Sequence, residues 1–120
     1  MEQITLEDLL EQDLLAIDKD IHTFPVTSDR IQEFTGGGVY AFIDGDKQVL
    51  YVGITDNIYR RISSHLNGYG SRDIYEYNHN KLSIAFFQED NVLYRDIYES
   101  YLIYRFNPRY NISKTAKHKR

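Results

Sequence analysis

Leu6, Leu9, Leu10 and Leu14 recur at helical spacing in an otherwise acidic stretch, which predicts an amphipathic helix over residues 5–17. Thr5 with Asp8 three positions on resembles a capping box in which Asp stands for the usual Glu or Gln. Residues 18–35 lose this period and contain Pro25. They read as a connector with a short helical piece over residues 28–34. Gly36, Gly37 and Gly38 then break the chain. Residues 39–43 and 48–54 are apolar runs separated by Asp44-Gly45-Asp46-Lys47. Asp-Gly suits positive φ in a tight turn, so the two runs predict a β-hairpin.

Asp56 and Asn57 are helix starters, and a helix is expected over residues 57–66, closed by Asn67-Gly68. Residues 69–80 are polar and aromatic, a loop or a short helix. A third strand is expected over residues 82–87, and a long helix over residues 91–106, stopped by Pro108. From residue 37 onward the order is β-β-α-β-α, which predicts an α+β fold: a small antiparallel sheet of three strands flanked by helices, with an added N-terminal helix. Residues 1–35 form an acidic helical extension in this reading, residues 36–113 the main domain and residues 114–120 a tail. That tail carries four basic residues and His118.

The chain has 120 residues, enough for one domain and one core. It contains no cysteine, which excludes a disulfide scaffold, a thiolate zinc site, an iron–sulfur cluster and a cysteine nucleophile. No apolar run reaches membrane-spanning length, and acidic residues stand where a secretory signal carries basic ones. A soluble, cytoplasmic protein without membrane contact is expected. The net charge of −4 hides an asymmetry. Residues 1–35 hold nine acids against Lys19 and Arg30, whereas residues 36–120 carry a net +3. The basic footprint of a polyanion-binding protein is thus weak and confined to the last 85 residues.

Candidate chemistry concentrates on the hairpin and the helices after it. The hairpin holds Gly38-Val39-Tyr40 and Tyr51-Val52-Gly53, and its two tyrosines can meet across the strands, where a plain cross-strand aromatic pair is the alternative. In the following helix Ile58, Ile62 and Leu66 form the core row. Asn57, Arg61 and His65 form a second row about 100° around the axis, either a solvated face or a pair of phosphate ligands near the hairpin. In the last helix Tyr94, Tyr98, Leu102 and Phe106 make a core stripe. Glu99 sits on its margin, either paired with Arg95 or serving as a ligand to a hard cation such as Mg²⁺.

The succession Gly-Val-Tyr, Tyr-Val-Gly, Asn-Ile-x-x-Arg, His four later, Glu on a helix and Pro108-Arg109-Tyr110-Asn111 resembles the GIY-YIG endonuclease family. The likeness runs from about residue 37 to residue 113 and is strongest to the N-terminal incision domain of UvrC and to small stand-alone members. It implies a metal-dependent endonuclease acting on DNA, one strand per active site, with one Mg²⁺ or Mn²⁺ ion. It also implies catalytic roles for Tyr40, Tyr51, Arg61, His65, Glu99 and Asn111. One tyrosine helps deprotonate the attacking water, Arg61 stabilises the phosphate charge, His65 assists, and Glu99 is the sole carboxylate on the metal. Gly53, Asn57, Arg60, Arg72 and Arg109 are expected to face the substrate. Val replaces Ile in both tripeptides, and Ile54 stands where many relatives have Lys or Ser.

Physical chemistry agrees in outline. Phosphodiester hydrolysis needs a base, a charge clamp and a metal, and a tyrosine, with its ordinary pKa near 10, serves as base only beside a cation. The competing reading is a GIY-YIG-like module that binds DNA or protein and cleaves little. The loop over residues 69–80, with Arg72 and several aromatics, either packs or stacks on bases. The acidic segment falls outside the resemblance. Its leucines either bury on the domain, or the segment acts as an autoinhibitory arm, a protein-docking arm or a homodimer contact.

Overall fold

The computed structural model describes residues 19–111. The helix expected over residues 5–17 and the basic tail over residues 114–120 lie outside them. Strand β2 (Gly38–Ile43) and strand β3 (Val49–Thr55) form the expected hairpin. The turn between them works differently from the expectation. The left-handed residue is Lys47 (φ 64°), while Asp44 closes the loop by accepting from the backbone N–H groups of Asp46 (2.8 Å) and Gln48 (2.9 Å). A short side chain that hydrogen-bonds its own turn removes the need for a glycine at the tip.

The sheet has four strands, not three: β1 (His22–Pro25) and β4 (Ser83–Gln88) join the hairpin in the order β1-β4-β2-β3, with every neighbouring pair antiparallel. The additional strand is β1, which pairs with β4. Four residues ending in proline carry almost no strand signal. Proline is nevertheless tolerated here because β1 is an edge strand. The short helical piece expected next is a 3₁₀ turn at Asp29–Glu33, capped by Ser28.

Helices cover both faces of the sheet. One face carries Tyr40, Phe42, Ile84 and Phe86 under helix α1 (Ile58–Leu66) and the short helix α2 (Arg72–Glu76), which contribute Ile58, Ile62 and Ile74. The other face carries Val39, Ala41, Val52, Ala85 and Phe87 under helix α3 (Val92–Phe106). Both neighbours of alternating side chains are therefore buried on β2, which reads as a continuous apolar run. α1 and α3 each begin after an asparagine cap: Asn57 accepts from the Arg60 N–H at 2.9 Å, and Asn91 accepts from the Tyr94 N–H at 3.1 Å. α3 ends at Asn107, in the left-handed conformation (φ 47°), just before Pro108.

The stripe expected on α3 holds only in part. Leu102 is buried and Tyr98 packs edge-on against Phe87, but Tyr94 is half exposed. A row spaced four residues apart drifts about 40° per step on an α-helix, so Tyr94 has rotated off the face that Leu102 occupies.

Candidate active site

The hairpin brings Tyr40 and Tyr51 to one face of the sheet through an irregularity in pairing. Tyr40 lies opposite Gly53 and Phe42 opposite Tyr51, but Ile43 pairs with Val49, so Leu50 is bulged out of register. The tyrosines are therefore diagonal neighbours, stacked with ring centroids 6.3 Å apart. Gly53 makes room for this arrangement. A Cβ there would run into the Tyr40 ring, with Cε1 only 3.0 Å away. The glycine thus seats the first tyrosine.

His65 completes the aromatic group. It leaves α1 on the same side as Ile58 and Ile62 and is fully buried, so the row Asn57–Arg61–His65 turns from half-buried at Asn57 and Arg61 to the core at His65. Its ring stands near Tyr40, Phe42 and Tyr51, at 5.6, 5.3 and 5.1 Å between centroids. The backbone N–H of Ser71 donates to Nδ1 at 2.8 Å, and Nε2 lies 2.7 Å from the Tyr40 hydroxyl. Because Nδ1 accepts, the proton of the neutral ring sits on Nε2 and is donated to the Tyr40 oxygen. Burial, reinforced by the charge of Arg61, lowers the His65 pKa to about 4, so the ring stays neutral at physiological pH.

Arg61 and Glu99 supply the opposing charges. Burial, the neighbouring Tyr51 and Glu99 raise the Tyr40 pKa, while hydrogen bonding and charge from Arg61 lower it. Burial and Glu99 likewise raise Tyr51, and Arg61 again opposes them. One guanidinium and one carboxylate therefore act on both phenols. Glu99 comes from α3 and is buried at 6 % exposure. The guanidinium of Arg95 is held by backbone carbonyls: Nε donates to Glu89 at 2.6 Å and Nη2 to Asp90 at 3.4 Å.

Among the described residues no group of three or more His, Cys, Asp or Glu side chains is placed to hold a metal ion. A zinc site needs such a set. A single buried carboxylate beside two phenolic oxygens is a different donor set, made of hard oxygens. It suits a cation such as Mg²⁺ that keeps most of its coordination for water and substrate phosphate.

The other expected site residues fall outside this cluster or border it. Asn111 is buried, and its amide brackets β3: Nδ2 donates to the Val52 carbonyl (3.0 Å) and Oδ1 accepts from the Val52 N–H (2.9 Å). It thereby occupies the open edge of β3 between Tyr51 and Gly53. Asn57 caps α1. Arg60 is exposed and paired with Asp56 (3.0 Å), and Arg72 is exposed and paired with Glu76 (3.1 Å). Arg109 stacks on Tyr110. The loop expected over residues 69–80 packs through Ile74, which is fully buried, while Tyr69 and Tyr75 remain exposed. Sequence reasoning passed over Gly70 and Ser71. Ser71 caps α2 by accepting from the Ile74 N–H while its own N–H fixes the His65 tautomer, and a Cβ at Gly70 would strike the His65 ring. The Ser-x-x-Ile capping pattern was visible; its use by a histidine six residues upstream was not.

The family profile of the GIY-YIG catalytic domain matches residues 36–111. The chain belongs to the GIY-YIG family. Its two tyrosine tripeptides, Arg61, His65, Glu99 and Asn111 all lie within the matched stretch, and the domain is an endonuclease domain of that type. The structure is similar to crystal structures of the GIY-YIG N-terminal endonuclease domain of UvrC from Thermotoga maritima. The magnesium-bound form shares 21% identity, with a TM-score of 0.58, over 71% of this chain and 99% of that one. An asparagine-to-alanine mutant of that domain, bound to its catalytic divalent cation, gives 20% identity and the same TM-score over 70% and 97%. No curated protein matches the chain. No helix among the described residues is long and apolar enough to cross a membrane.

Proposed function

We propose that this chain is a metal-dependent endonuclease that hydrolyses DNA phosphodiester bonds, one strand per active site. The observation that carries the reading is the convergence of Arg61 and Glu99 on two stacked phenols, Tyr40 buried and Tyr51 half-buried, the first of which accepts a hydrogen bond from a neutral histidine. The GIY-YIG match and the fold shared with a UvrC domain that binds magnesium support it.

Tyr40 is the phenol best equipped to act as base. Its oxygen already accepts the His65 Nε2–H, an interaction that strengthens when the oxygen becomes an anion, and Arg61 favours the same anion. As phenolate it accepts a proton from the attacking water, and His65 holds the oxygen in place. Arg61 presents a guanidinium fork to the scissile phosphate. Glu99 holds the divalent cation, which when bound supplies Lewis-acid stabilisation of charge at the phosphate. Asn111 acts as a positioning residue through Val52. Arg60, Arg72 and Arg109 follow the DNA backbone beyond the scissile bond, releasing weak surface contacts to do so. A single carboxylate supports one ion per site, hence one cut per site. A cytoplasmic setting accords with the absence of cysteine.

The test is nicking of supercoiled plasmid with Mg²⁺ or Mn²⁺ by wild type and Glu99→Ala, with an EDTA control. The reading requires metal-dependent nicking that Glu99→Ala loses. Folded wild-type protein that leaves plasmid, branched and single-stranded DNA intact overturns it in favour of a binding module.

A further inference from the structure

The outward face of α1 carries a depression of about 660 Å³ lined by Tyr59, Arg60, Ser63, Ser64, Asn67 and Tyr69. That volume lies in the range of ligand pockets, roughly 300–1,000 Å³. None of these residues belongs to the tyrosine–histidine cluster, which takes Arg61 and His65 from the inner side of the same helix. The small Ser63 and Ser64 lie between Tyr59 on the first turn and Tyr69 beyond the last, which leaves a hollow between two aromatic residues.

Tyr69 is held by its backbone and not by its ring. α1 ends in a Schellman motif: Gly68 is left-handed (φ 92°), its N–H donates to the His65 carbonyl at 3.4 Å, and the Tyr69 N–H donates to the Ser64 carbonyl at 2.8 Å. In that motif the residue after the glycine commonly packs an apolar side chain on the last turns of the helix. Here the positions it would meet are Ser63 and Ser64, and Tyr69 stands 83 % exposed. The fold thus fixes the root of an aromatic ring and leaves the ring uncovered. The next two residues, Gly70 and Ser71, hold the His65 ring that bonds Tyr40, so one loop braces both the exposed ring and the reactive cluster.

Charge points the same way. Residues 57–72 contain Arg60, Arg61 and Arg72 and no acid, in a chain of net charge −4. Arg60 pairs only at the surface, with the exposed Asp56, and such a pair yields readily to a phosphate. A ring with a free face beside a guanidinium is the recurring platform for an unstacked base and its backbone. Bases inside a duplex have both faces covered by their neighbours, so only an unpaired base offers a face to Tyr69.

We propose that this depression receives one unpaired base of the DNA strand being cut, with the base on the ring of Tyr69, its polar edge toward Ser63 and Ser64, and the adjoining phosphate on Arg60. The distance across α1 is about 10 Å, roughly three nucleotide steps along one strand. The unpaired position therefore lies within about three nucleotides of the scissile bond. Resting on the endonuclease reading, this occupancy adds the substrate class: DNA that is unpaired close to the cut.

The test uses the full chain in EDTA, which prevents cleavage, and three probes of one sequence: a duplex, the same duplex with one unpaired 5-iodouracil, and the single strand carrying it. The two probes with the unpaired base should bind about five- to hundredfold more tightly than the duplex, the range that one stacked base contributes. Tyr69→Ala should abolish this preference, and Tyr69→Phe, which keeps the ring, should retain it. Irradiation should crosslink the iodouracil to Tyr69 or Tyr59, as mapped by peptide mass. Equal or undetectable affinity for the three probes overturns the proposal, as does a preference that survives Tyr69→Ala or a crosslink confined to residues outside the depression. Plasmid nicking by the same preparation separates these failures from failure of the endonuclease reading, which falls only if the folded chain cuts no DNA.

Discussion

The Tyr40 hydroxyl accepts a hydrogen bond from His65 Nε2 at 2.7 Å, while His65 Nδ1 is occupied by the N–H of Ser71. The order of donors matters. A histidine that accepted the tyrosine proton would be a base in its own right. Here it is a buried neutral donor whose partner is left with its own proton to give away.

Tyr40→Phe removes the acceptor and leaves the His65 N–H buried. Stability should fall by about 1–3 kcal/mol, and nicking by about 100-fold or more. Thermal denaturation and plasmid nicking on the same preparation measure the two losses separately. In the wild type the raised tyrosine pKa makes the rate climb with pH on the alkaline side, as the phenolate fraction grows. A flat profile between pH 7 and 9 would count against Tyr40 as base.

His65 produces an acid-side dependence of stability. Its folded-state pKa, about 4, lies below the ordinary histidine value of 6.5, so between these values the unfolded chain binds the extra proton. The stabilising contribution of neutral His65 is whole above pH 6.5 and is lost as pH falls toward 4, with a limiting slope of about 1.4 kcal/mol per pH unit. Urea unfolding at pH 7, 5.5 and 4.5 should show this decline, and His65→Gln should flatten it.

Gly53→Ala puts a methyl group where the Tyr40 ring lies. Either the ring or β3 must shift, at about 1–3 kcal/mol. The expected result is a lower melting temperature together with loss of nicking. Nicking retained in Gly53→Ala despite a lowered melting temperature would show that the ring position is not critical.

Asn111→Ala strips the edge of β3 of both bonds to Val52, one donor and one acceptor in a buried place. A loss of about 2–4 kcal/mol is expected from two unmet backbone groups. Because Asn111 acts through Val52, kcat should fall while KM stays nearly constant. A change in KM alone would assign Asn111 to substrate contact instead.

The hairpin, α1 and α3 were legible because each is specified locally. Asp44 closes its own turn, Asn57 and Asn91 cap the helices that follow them, and Pro108 ends α3. β1 was not legible. Four residues ending in Pro25 form a strand only because β4 offers them an edge. Tyr40, Tyr51, Arg61, His65 and Glu99 could be singled out by type and spacing, but the burial of His65 could not. A row read as polar from its neighbours becomes core when Tyr40, Tyr51 and Gly70 close around its last member. The same holds for Gly53, whose lack of a side chain matters only once a ring from the adjacent strand lies on it.

What the sequence determined alone is what short-range forces decide: turn chemistry, helix capping and the apolar periods, together with an ordered set of blocks that marks the GIY-YIG family. What only the tertiary structure decided is which groups share a proton and a charge. The bulge at Leu50 turns Tyr51 to the face of Tyr40, Asn111 holds the outer edge of β3 at Val52, and the Ser71 N–H selects the tautomer of a histidine on another helix. Each depends on groups brought together from separate elements, and the strength of each comes from exclusion of water, which exists only after the chain has folded.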